Sequence, residues 1–147
     1  NEEIIYREWM EDEIVIFSNQ KLPLKAKAED LLSYKWVCRN PESNTRLLFK
    51  ENLEKANYPD CDTFNVTSEV TSATTIVQTV LHSDKNLTPT VSIVSRNAIE
   101  SLLKAGALYE SRIGNQKMLR KLYIAYRKDK KHDAFIENVV DYLLKMK

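Results

Sequence analysis

Val91-Ser92-Ile93-Val94-Ser95-Arg96-Asn97-Ala98-Ile99 is the stretch that decides the fold. Its first four residues, three β-branched apolar side chains with Ser92 among them, read as a strand. Ser95 then supplies a helix-capping side chain. Ala98, Ile99, Leu102 and Leu103 recur at helical spacing until Gly106, the residue type that takes the left-handed conformation closing a helix. A strand running straight into an amphipathic helix is the unit of α/β architecture.

Working outward, the same alternation repeats. Ile14-Val15-Ile16-Phe17, led by Asp12-Glu13, reads as a buried strand, and Lys35-Trp36-Val37-Cys38 as a second one after a brief helix over Ala28 to Leu32. Leu48, Phe49, Leu53 and Ala56 share one face of a helix from Thr45 that stops at Asn57-Tyr58-Pro59. Phe64 to Val70 alternates as a strand. Thr71-Ser72 caps a helix with Ile76, Val77, Val80 and Leu81 as its apolar stripe, ended by His82 to Asn86. Short strands follow near Leu108 to Ser111 and over Leu119 to Tyr126, with Gly114-Asn115 as the turn between them. Phe135, Ile136, Val139, Val140, Leu143 and Leu144 predict a final helix. The expected class is α/β, with a Rossmann-like, mostly parallel sheet and helices on both faces.

Composition bounds the function. The chain has 147 residues, 43% hydrophobic, and 22 basic against 21 acidic side chains, so a folded core is expected and a polyanion-binding surface is not. Only 2 Gly and 4 Pro exclude fibrous or linker architectures. Cys38 and Cys61 stand far apart with no partner at metal spacing, which predicts neither disulfide nor zinc and fits a reducing cytoplasm. The longest apolar run is too short to span a bilayer, and no leader opens the chain, so no membrane partner is expected. The start at Asn1 rather than Met reads as a trimmed piece of something longer.

Candidate chemistry is sparse. Ser43-Asn44-Thr45-Arg46 stands at a strand-to-helix transition, where free backbone N–H groups and the helix dipole favour an anion; an ordinary N-cap explains the same residues. Thr71-Ser72 offers a second cap after the next strand. Two caps at the carboxyl ends of neighbouring parallel strands would converge on one crevice, so Ser43, Thr45 and Ser72 are expected to face it together. His82 and His132 are isolated, Cys38 has no base at a recognisable spacing, and Arg127 to Lys131 reads as a solvated turn. No catalytic residue, metal ligand or cofactor is expected.

Five segments, in order, resemble the effector-binding domain of LysR-type transcriptional regulators. Glu11 to Phe17 with Lys21-Leu22-Pro23-Leu24 is similar to the family's "ED-E-L-V-L-V…HPL" strand and turn, and Ser43-Asn44-Thr45-Arg46 to its "SGTR", with Asn in place of Gly. Ser72 to Val80 resembles "S-x-E-A-I-x-x-x-V", Val91 to Ile99 resembles "GISILPRLAV", and Leu122 to Asp129 resembles the late strand that recrosses between subdomains. The resemblance implies a fold like that of type 2 periplasmic binding proteins. It also implies a small polar or anionic effector between two subdomains, a homo-oligomer, and DNA contact only through a helix-turn-helix domain absent from this chain. On that reading residues 12–118 form subdomain II, while 1–11 and 119–147 belong to subdomain I. The implied effector contacts are Ser43, Asn44, Thr45, Arg46, Thr71, Ser72 and Thr90, the last because the long glycine-free loop from His82 to Thr90 should border the cleft. A periplasmic solute-binding fragment and a small α/β enzyme using Cys38 or His82 are the alternatives.

Overall fold

The computed structural model describes residues 4–127. The expected final helix from Phe135, together with His132 and most of the basic run after Arg127, lies outside the described residues. The chain divides into two compact units, Glu13–Met118 and, by itself, Asn1–Asp12 with Leu119–Lys147.

Strands β1 (Ile4–Ser18), β2 (Lys25–Ala26), β3 (Lys35–Arg39), β4 (Asn65–Val70), β5 (Thr90–Ser95), β6 (Tyr109–Ile113) and β7 (Met118–Arg127) alternate with helices α1 (Ala28–Ser33), α2 (Asn44–Lys55), α3 (Ala73–Leu81) and α4 (Arg96–Lys104). The sheet order is β2-β6-β1-β5-β3-β4, and β7 also pairs with β1. β3 runs parallel to β4 and β5, and β2 parallel to β6, whereas β1 is antiparallel to both β5 and β6. The sheet is therefore mixed rather than mostly parallel. β1 belongs to no strand–helix–strand crossover with its sheet neighbours, so nothing forces it into their direction.

The two faces of the sheet are read off residue by residue. Ile14, Ile16, Trp36, Cys38, Val91 and Ile93 point to one side, where Phe49 and Leu53 of α2 and Leu31 of α1 cover them. Val15, Phe17, Val37 and Val94 point to the other, where Ile76 and Val80 of α3 and Ile99 of α4 cover them. This alternation is the period-two geometry of a strand meeting an apolar stripe on each side. All four residues of Ile14 to Phe17 are fully buried, as their continuous apolar run predicts. Ser18, Ser92 and Ser111 are buried polar strand residues, and the Ser92 hydroxyl donates to the Val37 carbonyl.

Local capping follows the sequence closely. Ser43 and Ser72 are the N-caps of α2 and α3, accepting from the backbone N–H of Arg46 and Thr75 at 3.2 and 3.4 Å. Gly106 takes φ 74° after α4, and Gly114 takes φ 54° in the turn before β7, both in the region that disfavours a side chain. β4 is an exposed edge strand, five of its six residues being open to solvent. No helix among the described residues is long and apolar enough to cross a membrane.

Candidate functional site

β3 is the first strand of a switch. From it the chain passes through α2 to β4 on one side, then through α3 back across β3 to β5 on the other. Two crossovers of the same hand leading to opposite sides of one strand must set their helices on opposite faces of the sheet. That is why α2 and α3 pack in separate cores. In open α/β sheets ligands take the position outside the carboxyl ends of the strands at such a switch point, here β3 and β5.

The loop from β3 into α2 forms one wall. Ser43 is buried at 9% exposure, Thr45 and Arg46 are half-buried, and Asn44 is open to solvent. The Ser43 oxygen accepts from the Arg46 N–H, and a hydroxyl that accepts one bond keeps its proton as a donor. Among the described residues, buried Arg39 Nε and Asn40 Oδ1 in this loop have no protein hydrogen-bond partner. A native chain leaves few such atoms, and Arg39, level with Val70, points to the α3 side of the sheet rather than to the side α2 covers.

Arg46 is held by the protein itself. Its guanidinium donates to the Arg39 carbonyl at 2.8 Å and to Glu69 at 3.3 Å, with Asp62 at 3.6 Å, and its side chain is 13% exposed. Arg46 thus ties the last residue of β3 to β4 and the 3-10 turn Cys61–Thr63. It shapes the loop rather than reaching out of it.

Thr71 and Ser72 stand at the same end of the sheet, since Arg39 pairs with Val70 at the level ends of β3 and β4. They share the end with Ser43 but not the face, because α3 covers the opposite side. Thr90 is a correction. It opens β5 and pairs with Lys35, the first residue of β3, so it lies the length of a strand, about 15 Å, from the caps. The loop that feeds a parallel strand reaches its amino end, and the His82 to Thr90 loop therefore borders the other end of the sheet. Sequence reading missed Asn40 and the Ser95-Arg96-Asn97 start of α4 as neighbours of the crevice. Ser95 was legible as a cap; that it stands at the switch point depends on sheet order.

Both thiols are buried. Cys38 is 8% exposed, and burial pushes its thiol up to about 11; burial likewise raises Cys61, which is 2% exposed. Both cysteines should therefore resist iodoacetamide at pH 8 in the folded chain and react promptly in urea, and rapid labelling of Cys38 under native conditions would revive a thiol chemistry. Asp60, Cys61 and Asp62 bring their ligand atoms within 4.8 Å of one another. Lys50 ion-pairs both carboxylates there, at 3.4 and 3.5 Å, and so occupies the cluster with its own charge.

The family model described as LysR substrate binding domain matches residues 1–147. The HTH-type transcriptional regulator YeiE of Escherichia coli strain K12 is 28% identical over 143 residues, covering 95% of this chain and 46% of that protein. This chain thus spans about half the length of the curated relatives it matches. The regulatory domain of CcmR from Synechocystis PCC6803, solved in complex with 2-PG, superposes with a TM-score of 0.74 at 18% identity over 99% of this chain and 67% of that one. The effector-binding domain of QuiR in complex with shikimate gives 0.68 at 18% identity over 97% of this chain and 65% of that one. At such identities the likeness establishes the fold.

Proposed function

Because the chain belongs to the LysR substrate binding domain family, with the mixed α/β fold of type 2 periplasmic binding proteins, we propose that it senses a small polar or anionic metabolite for a transcriptional regulator. The observation that carries this reading is the switch point of the sheet, where α2 and α4 leave the carboxyl ends of adjacent β3 and β5 for opposite faces, with unpartnered Arg39 Nε and Asn40 Oδ1 at that end. One is a cationic donor and the other a carboxamide atom, a combination suited to a carboxylate or phosphate that also bears a hydroxyl.

The proposed contacts are Ser43 through its hydroxyl, with Asn44 and Thr45 at the start of α2, where the positive end of the helix dipole favours an anion. Arg46 positions this wall from behind. Thr71 and Ser72 lie further along the same end of the sheet as secondary contacts, and Thr90 is not included. Residues 12–118 would be the family's second subdomain, with 1–11 and 119–147 contributing to the first. Bound effector would favour one arrangement of a homo-oligomeric regulator over another, and DNA would be met by a separate helix-turn-helix domain in the reducing cytoplasm. Neither an enzyme nor an exported solute carrier fits as well: the buried thiols offer no activated nucleophile, and the family is one of regulators.

Shikimate, carrying a carboxylate and hydroxyls, is a suitable first probe, followed by small phosphorylated acids. Titration followed by amide NMR should move the resonances of Asn40, Ser43, Asn44 and Thr45 saturably for one member of the set. Asn44→Asp, which adds a negative charge at an exposed position compatible with the helix start, should weaken that binding about tenfold. A set in which no member saturates those resonances refutes the assignment of the site.

A further inference from the structure

A second cavity, of about 430 Å³, lies in Glu13–Met118 between α4 and β6, walled by the Lys21 to Leu24 turn. Most of its lining is away from the caps, although Arg96 starts α4 at the caps' end of the sheet. Tyr109 and Val91 both pair with Ser18, so the start of β6 lies level with the start of β5, at the end of the sheet opposite Ser43 and Ser72.

The lining has two chemistries. Leu22, Leu103 and Leu108 form an apolar floor, with Leu108 1% and Leu22 5% exposed, while Leu24 at 70% and Tyr109 at 37% extend the apolar surface to the lip. Lys21, Arg96 and Lys104 supply positive charge at the rim against the single carboxylate of Glu110. That carboxylate is already used twice, by Arg96 at 2.9 Å and by Arg112 at 3.1 Å. Lys104 reaches Glu100 at 2.9 Å along its own helix, whereas Lys21 has no ion pair among the described residues. The rim therefore carries one solvent-exposed cation, Lys21, without an ion pair among the described residues. A cationic ligand would meet Lys21 unfavourably, and a wholly apolar one would leave it unused.

We propose that this cavity is a second small-molecule site, taking an organic monocarboxylate with an apolar body, its carboxylate on Lys21 and its hydrocarbon over Leu22, Leu24 and Leu108. The volume lies within the range of small-molecule sites, about 300–1,000 Å³. Dispersion and area burial over the leucines supply attraction, and Lys21 selects the sign of charge. Its anchor, Lys21, differs from the contacts of the effector site proposed above, while Arg96 stands near both.

Octanoate is the probe, with acetate and octylamine as controls, titrated into the whole chain and followed by amide NMR. Octanoate should saturably shift Lys21, Leu24, Lys104 and Tyr109 and leave Asn40 to Thr45 in place. Acetate should shift none of these, octylamine should bind at least about tenfold more weakly, and Lys21→Glu should weaken octanoate about tenfold with an unchanged melting temperature. Octylamine binding as tightly as octanoate would overturn the proposal, as would the absence of saturation. So would octanoate shifts confined to Asn40 to Thr45, or shifts at Leu24 that depend on protein concentration without any ligand, which would assign the patch to a second copy of the chain. Because the two sites report through separate resonances, loss of one leaves the other standing.

Discussion

Trp36→Ala is expected to destabilise the chain by about 4 kcal/mol, a large share of the roughly 5–15 kcal/mol that holds a domain folded. The indole is 1% exposed and stacks on Phe64 at 4.9 Å between ring centres, with Phe49 at 5.4 Å and Tyr34 at 6.5 Å. Truncation removes this aromatic contact and opens a cavity whose walls belong to a strand, a helix and a loop that cannot all collapse inward. It also leaves the Leu31 carbonyl, which accepts from Trp36 Nε1 at 2.8 Å, without that donor at the end of α1. Urea unfolding followed by far-UV circular dichroism measures the loss. Trp36→Phe should cost roughly half as much, since it retains a stacked ring and forfeits the hydrogen bond. An alanine variant within about 1 kcal/mol of wild type would show that the aromatic cluster is not the centre of this core.

Arg112→Met should destabilise the chain by about 2 kcal/mol at pH 7, because it strands a partly buried carboxylate. Arg112 forms a fork on Glu13, Nε to Oε2 at 2.6 Å and Nη2 to Oε1 at 2.9 Å, with side chains 23% and 15% exposed. That hydrogen-bonded cation is the main reason the Glu13 carboxyl is held below its ordinary value of 4.5, against the opposing pull of burial. A carboxyl depressed in the folded state contributes stability that is full above the unfolded value and is lost as pH falls through the folded one. The difference between wild type and variant should therefore be widest near neutrality and narrow steadily below about pH 4.5. A difference that stays constant down to pH 3 would mean that packing of the arginine stem, not its charge, is what the substitution removed.

Much of the α/β pattern was legible because its elements carry strong local signals. Ile14 to Phe17, the Ser72 cap with Ile76 and Val80, and Gly106 after α4 each name their structure within a few residues. Signals faded where pairing rather than periodicity defines the element. The two residues of β2 exist as a strand only because β6 lies alongside, and the first half of β1, mostly exposed, has no apolar alternation to announce it. Of the candidate site, the capping residues could be read directly. The unpartnered pair Arg39 and Asn40 could not, since whether a polar atom finds a partner is settled by every element that packs near it.

Most helices, the buried strands and, through motifs in register, the family could be read from the chain alone, because these depend on local spacing. Tertiary structure alone decided that β1 runs antiparallel, that Ser43 and Ser72 flank opposite faces, that Thr90 stands at the far end of the sheet, and that Arg46 turns inward. The reason is physical: a strand's direction, its neighbours and the end at which a loop emerges are fixed by the order of strands in the sheet, and that order is chosen by contacts between residues distant in sequence.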